Sequence, residues 1–582
     1  MSLARIEKSA VIAGIAYIAM AVLHIPDALF KHAFDKDTPV QFFSLTTIAT
    51  GFTLFIFLKS ERFRFSRLPV ILFGALLASQ LISLFQSGDV IASFFGDSGR
   101  FVGTASTLAL LVVAIFHTQF KLSSFFTLLC FYVAAVEAVT IIGLAQHFGL
   151  VELPGDQGMS STLGNSDFFA AFVATSYPLL FLIALRFTWP VRILIGEVAL
   201  LNTYALYEAG PLQAYVDMAI VAAGLSLFAL KRFIPRPGWS LNIRTFLAGF
   251  AILIWAEVIF LMPFLGNMIP VLGNDPQVKI RSNFWLAGTR QFTDHLLFGV
   301  GPDQYGNYYE QYRTLDDVIR FPNILSNDAH SASVQTLATL GLFGALTFLA
   351  LITLVARSLF ILWDSQKISR KYTFTFGLYI FVHLTNSFIS PITLTHKFIF
   401  WAICGFIVGQ AYRRPSRKLN KDIRIQSGAI FAAAVLATTT GVNAYAQGNY
   451  LVNIEKFAAD NSAVSTYNSP FILPCFAYFD AELLMVHTQG DQAGINFAQE
   501  KLSKSPRCTS AAISLGRMAA NTDNLPALKF YLQQLRLIAP YRADTLSLTM
   551  YFANRTGDES LRKSTEATMK SLGLIYIPGK LG

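Results

Sequence analysis

Apolar windows of roughly twenty residues, the length an α-helix needs to cross a hydrocarbon core of about 30 Å, recur along the first three quarters of this chain. They predict spans near 9–30, 40–58, 68–86, 102–118, 123–149, 167–186, 191–207, 211–230, 245–265, 333–361, 372–390, 396–412 and 427–446, of which 102–118 and 191–207 are short. The first apolar run has no small-residue cleavage site after it and is expected to remain as the first helix. Beyond residue 447 the pattern changes, and apolar residues recur at helical spacing among charged ones, as in a water-exposed helical domain. Four segments follow: N-terminal membrane helices over 1–265, a large loop over 266–332, further membrane helices over 333–446, and a helical domain over 447–582. The fold class is all-α, a polytopic membrane bundle with an added soluble helical domain.

Composition agrees. Of 582 residues 54% are hydrophobic and 14% charged, too apolar for a soluble chain of this length. The net charge of +10 is mainly a topology signal. With a cytoplasmic N-terminus, alternate loops collect Lys59, Arg62, Arg64 and Arg67, then Lys231, Arg232, Arg236 and Arg244, then Arg357, Lys367, Arg370 and Lys371, then Arg413, Arg414, Arg417, Lys418, Lys421 and Arg424. The positive-inside rule then sends the 266–332 loop and everything after 447 to the outer side of the membrane. Basic residues interleaved with aromatics in a soluble domain, the mark of nucleic-acid binding, are not found.

In the C-terminal domain Pro506 and Pro540 are 34 residues apart, as are Ala493 and Ala527. This period resembles that of tetratricopeptide repeats, whose stacked helix pairs bury a shared face; a plain helical bundle is the alternative. Of the four cysteines, Cys130 and Cys404 fall in membrane spans and are read as packing residues. Cys475 and Cys508 fall in the outer domain, where an oxidising compartment would let them pair; spacing alone does not decide it. Neither pair has the spacing or His partners of a metal site, and neither metal nor cofactor is expected.

The stretch richest in candidate chemistry is 281–345, polar and bearing Arg and His between apolar helices. It holds Arg281 four residues before Trp285, a Gly299-Val300-Gly301-Pro302 turn, and His330 opening a helix that runs into Leu340-Gly341-Leu342-Phe343-Gly344. Taken with Gly164-Asn165-Ser166-Asp167-Phe168 before a membrane span, these features resemble the O-antigen ligase and polymerase superfamily of bacterial membrane glycosyltransferases. The resemblance implies transfer of a glycan from undecaprenyl pyrophosphate to an acceptor hydroxyl on lipid A core, a polysaccharide or a protein, at the periplasmic face and without a metal. It assigns His330 as general base, Arg281 to the pyrophosphate, and Asn165 and Trp285 to the substrate region. Gly299, Gly301 and Pro302 supply a tight turn. One departure stands out: the family's Ser-Arg-Gly element, whose Arg meets donor phosphates, is replaced by Tyr207-Glu208-Ala209-Gly210-Pro211-Leu212-Gln213. Arg290, Arg313 or Arg320 is then expected to supply the missing charge, or the donor differs.

The chemistry is coherent on its own terms. The guanidinium fork matches two phosphate oxygens and stays charged, while an imidazole, with an ordinary pKa near 6.5, is mostly neutral at neutral pH and able to take a hydroxyl proton. Plainer readings stand beside these. His330 follows Ser326, Asn327 and Asp328 and could belong to a helix cap; Arg281 could pair with Asp275; Trp285 suits an interfacial anchor. Glu137, Glu197 and Glu257 in membrane spans suit helix-to-helix hydrogen bonding as well as catalysis. The alternative function is a transporter or flippase for a lipid-linked or anionic solute, although the internally repeated halves and midplane helix breaks of such folds are not evident. Repeat domains usually bind polypeptide, so a protein partner or protein acceptor is compatible with the C-terminal region.

Overall fold

The structure, a computed structural model, describes residues 11–15, 17–18, 45–49, 51–52, 67–96, 102–153, 158–230, 238–262, 276–322, 324–412, 486 and 490–577. Among these the fold is nearly all helical, with no strand. The first part comprises α1 (Arg67–Gln86), α2 (Val90–Phe95), α3 (Thr104–His117), α4 (Leu122–His147), α5 (Ser166–Ala174), α6 (Tyr177–Ala184), α7 (Trp189–Ala209), α8 (Leu212–Leu230) and α9 (Leu241–Leu261). There follow α10 (Pro276–Asp294), α11 (Tyr305–Tyr312), α12 (Leu315–Arg320), α13 (Ala332–Ser365), α14 (Arg370–Ile389) and α15 (Leu394–Tyr412). The C-terminal region holds α16 (Asp491–Lys504), α17 (Thr509–Asn521), α18 (Leu525–Ile538), α19 (Ala543–Thr556) and α20 (Glu559–Ser571).

The expected spans from 68–86 to 396–412 all fall on helices; those at 9–30 and 40–58 lie mostly, and 427–446 wholly, outside the described residues. Seven described spans are long and apolar enough to cross a membrane: α1, α4, the α5–α6 pair, α8, α9, α13 and α15. The other three fall short on those criteria: α3 has 14 residues, and α7 and α14 are more polar. On α9, Phe246 and Phe250 are 70% and 52% exposed one turn apart, an apolar face suited to lipid rather than water. This is a multi-pass membrane protein.

Within the bundle, helices approach through small residues and buried polar pairs, since lipid offers no hydrophobic drive between them. Gly405 and Gly409, one turn apart on α15, lie so close to the Ala114 and Thr118 carbonyls at the end of α3 that a Cβ at either would collide with backbone. Asn202 on α7 donates to Glu137 on α4 at 2.9 Å, and Asn386 on α14 donates to Asp217 on α8 at 2.5 Å. For Glu137 this is the helix-to-helix role.

The long helix α13 is broken at Gly341, whose φ of 64° and ψ of −166° interrupt the helical ladder. The break would strand the carbonyls of Ala338 and Thr339 and the N–H groups of Leu342 and Phe343. The turn following α10 takes all four. Val300 and Gly301 donate to the Ala338 and Thr339 carbonyls at 2.9 and 3.0 Å, while Leu342 and Phe343 donate to the Leu296 and Leu297 carbonyls at 2.9 and 3.2 Å. Contact this close requires glycine on both sides. A Cβ on Gly299 would lie 2.5 Å from the Leu340 nitrogen, and one on Gly341 would lie 2.5 Å from the Leu297 oxygen; both glycines have positive φ. The kink thus has a local cause, a turn inserted into the ladder.

In the C-terminal region α16, α18 and α20 begin at residues 491, 525 and 559, and α17 and α19 at 509 and 543, each spaced by 34. Ala512, Ile513, Leu515, Leu528, Leu535 and Leu548 build its core. Cys508 is disulfide-bonded; Cys130 and Cys404 are free, and the one remaining cysteine, Cys475, lies outside the described residues. The region docks on α11 and on the segment leading into α2. Arg507 lies 3.5 Å from the Tyr308 ring centre and donates to the Asn307 carbonyl at 3.2 Å, Arg542 pairs with Glu310 at 3.5 Å, and Ser505 donates to Asp89. Burial lowers the Arg507 pKa, against the electron-rich tyrosines beside it.

Three substitutions test these contacts. Gly299→Ala should destabilise the protein by about 3 kcal/mol, combining a positive-φ cost with overpacking. Gly196→Ala, with open space around its Cβ, should be neutral in the same thermal-unfolding measurement in detergent. Arg507→Ala should leave the bundle folded but raise protease cleavage between the membrane part and the C-terminal helices, as limited proteolysis would show.

Candidate functional site

The inserted turn fixes α10 against the start of α13, and the two leading candidates stand on these elements. Arg281 projects from α10 and donates through Nη2 to Asp167 Oδ2 at 2.8 Å, so its carboxylate partner comes from the Gly164–Phe168 element, while Asp275 lies outside the described residues. The Arg281 Nε is buried and meets no partner among the described residues, leaving one face of the fork for another acceptor. Asn165 caps α5: its side chain accepts from the Asp167 and Phe168 N–H groups at 2.8 and 3.3 Å. In this structure it holds Asp167 in place.

His330 sits just before α13 at a φ of 53°, in the left-handed region that side chains other than glycine enter at some cost. Its neighbours impose that conformation. Asp328 Oδ1 accepts the His330 N–H at 2.7 Å, Ser326 Oγ donates to the Asp328 carbonyl at 2.6 Å, and Gln335 Oε1 accepts the Ala329 N–H at 2.8 Å. The His330 Nδ1 lies 3.0 Å from the Asp328 carbonyl, which can only accept. With that carbonyl as acceptor Nδ1 is the donor, and in the neutral ring the lone pair then lies on Nε2.

Phe284 stands between the two in the fold. Its ring lies 5.0 Å from the His330 ring, and it follows Arg281 by one helical turn on the same face of α10. The Phe284 carbonyl accepts from the Tyr305 hydroxyl at 2.7 Å, tying α10 to α11.

The remaining expected residues fall elsewhere. Trp285 is buried and stacks on Phe260 of α9, with ring centres 5.8 Å apart, as a packing residue between helices. Arg313 is also buried, donating to Asp317 at 2.7 Å and to the Phe321 carbonyl at 2.7 Å. Arg290 reaches the Tyr312 carbonyl at 3.0 Å, and Arg320 pairs with Asp316 at 3.1 Å on an exposed surface. None of these three is shown beside Arg281. Gly301, with a φ of 114°, and Pro302 complete the turn against Ser87 and Ser93.

In the stretch lacking the expected Arg, Gln213 donates to the Asp167 carbonyl at 2.8 Å and accepts from Ser390 at 2.5 Å. Gln213, Ser390, Asp328 and Gln335 carry no motif, and only the fold brings them to the site. Near α11, burial raises the Glu310 pKa, opposed by Arg542 and Arg313. Glu257 lines an apolar cavity of about 400 Å³ between α9, α10 and α13.

Residues 199–349 match the family described as O-antigen ligase. That is about a quarter of the 582 residues, and it contains Arg281, the turn, His330 and the Gly341 break, while Asn165 and Asp167 lie outside it. Among curated proteins none matches the chain. The family match supports a membrane glycosyltransferase of ligase or polymerase type, with a lipid-linked glycan and an acceptor as its general partners.

The arginines separate cleanly by experiment. Arg313→Ala should cost about 3 kcal/mol because it leaves Asp317 buried and unpaired. Arg320→Ala, in an exposed pair, should change thermal stability by less than about 0.5 kcal/mol.

Proposed function

We propose that this protein transfers a glycan from undecaprenyl pyrophosphate to an acceptor hydroxyl, with Arg281 on the pyrophosphate and His330 as the base. The supporting observation is that Phe284, one turn from Arg281 on α10, packs on the His330 ring, inside the stretch similar to O-antigen ligases. The acceptor oxygen attacks carbon 1 of the first sugar, and its proton passes to His330 Nε2. The bond from carbon 1 to the phosphate oxygen breaks, and the pyrophosphate leaves with the electron pair on its lipid. The leaving group is already good, so the protein's part is to stabilise its charge and receive one proton; an electrostatic contact of this kind contributes a few kcal/mol to the transition state.

Asp167 neutralises Arg281 at rest and holds it in position. A pyrophosphate approaching the other face of the guanidinium meets donors already oriented, which limits the entropy lost on binding. The site and the C-terminal helices face the periplasm in this reading. Two features support that orientation: Arg507 and Arg542 contact α11, as expected if both regions share one side, and the Cys508 disulfide suits an oxidising compartment. The 34-residue spacing of the C-terminal helices supports a tetratricopeptide-like domain with a polypeptide partner or acceptor.

His330→Ala should reduce transfer by 10²-fold or more with normal membrane insertion and thermal stability, measured by mass spectrometry of surface glycans and glycoproteins in a complemented deletion strain. Wild-type product from that variant would remove His330 from the mechanism. Arg281→Lys should weaken donor use at least tenfold, because a point charge does not reproduce the fork.

A further inference from the structure

Beside the His330 loop lies a cavity of about 200 Å³ between α1, α3, α13, α14 and α15, whose wall combines apolar and polar side chains. Two polar groups on that wall are almost fully buried, Gln80 at 6% and His383 at 3% exposure. The Gln80 Oε1 and the His383 Nδ1 meet no hydrogen-bond partner among the described residues. Leaving such groups unsatisfied is costly, so a wall that carries two of them calls for a ligand. An orphan amide oxygen accepts, and the partner it lacks is a donor such as a hydroxyl.

The other lining groups narrow the chemistry. Lys397 is the only Lys or Arg among the lining residues and Asp328 the only carboxylate, so the wall is charge-balanced; Trp401 adds an aromatic surface. A phosphate, which at neutral pH chiefly accepts, would not satisfy Gln80 Oε1 and would meet the Asp328 carboxylate. A sugar ring brings several hydroxyls that both donate and accept, together with an apolar face for the indole.

We infer that this cavity is a carbohydrate subsite, in which Gln80, Lys397 and Asp328 hold the hydroxyls of one sugar residue beside His330. The assignment rests on the transferase reading above and adds the place and chemistry of sugar recognition. Hydrogen bonds link the cavity wall to both proposed catalytic residues. Asp328, which fixes His330, forms part of its wall. Ser390, also in the wall, donates to Gln213, which donates to the carbonyl of Asp167, the partner of Arg281.

The test compares wild-type protein with Gln80→Met and Lys397→Met, reconstituted in nanodiscs. Three probes are used: undecaprenyl-pyrophosphate-linked oligosaccharide, undecaprenyl pyrophosphate without sugar, and the free acceptor oligosaccharide. Both substitutions nearly conserve volume, and removing an orphan acceptor should leave thermal stability unchanged or raised. Should Gln80→Met lower the folded yield, Lys397→Gln at a half-buried position takes its place. The subsite predicts affinity lowered about tenfold for one glycan-bearing probe and unchanged for the sugar-free lipid. Loss confined to the lipid-linked glycan places a donor sugar in the cavity, and loss confined to the free oligosaccharide places the acceptor there. Equal loss for sugar-free and sugar-bearing lipids, or no change for any probe, overturns the inference. Binding is read without turnover, so failure of the transferase reading, seen as no transfer by wild-type protein, is distinguishable from failure of the subsite.

Discussion

Four backbone hydrogen bonds exchanged between the 296–301 turn and the break at Gly341 set where the rest of the site can stand. A membrane helix that loses its ladder at one residue strands two carbonyls and two amides, and each buried group left unpaired costs about 1–3 kcal/mol. The turn satisfies all four and in return is held rigidly against α13. α10, which runs into the turn, inherits that rigidity. Arg281 and Phe284 are therefore presented from a fixed helix to a fixed loop, and His330 occupies its left-handed conformation because Asp328, Ser326 and Gln335 brace the residues around it. Preorganisation of this kind is what charge stabilisation needs, since the donors must already point where charge will develop.

The sequence showed clearly those parts of the fold that rest on periodicity. The spans between 68 and 412 were readable because a membrane helix must be apolar over its length, and the 34-residue spacing was readable because Pro506 and Pro540, like Ala493 and Ala527, repeat at that interval. The Gly299, Gly301 and Gly341 positions could be marked as special, yet nothing in the residues said that the turn and the Leu340–Gly344 element would pair with each other. That pairing depends on tertiary approach across 40 residues of intervening loop and helix.

Among site residues, the expectations fared according to how much depended on context. Arg281 and His330 were proposed from motif chemistry, and in the fold His330 packs on Phe284, one turn along α10 from Arg281. Trp285, near Arg281 in sequence, serves packing instead, because its register on α10 turns it toward Phe260 and into the core. Arg313 was attractive as a loop cation, but it lies four residues before Asp317 on a helix start, and that pair closes on itself. Asp167 stood in the sequence only as part of the Gly164–Phe168 element, and its role as partner of Arg281 appears only when 114 residues of chain are folded back. Gln80 and Lys397 belong to apolar helices and carried no signal at all.

A structure of the protein with a non-cleavable undecaprenyl-pyrophosphate glycan bound tests the central claim most directly. The account predicts the pyrophosphate within hydrogen-bonding distance of the Arg281 guanidinium, and carbon 1 of the first sugar turned toward the His330 Nε2 on the Phe284 face of α10. A headgroup seated away from both residues, with Arg281 still bound to Asp167 alone, would contradict it.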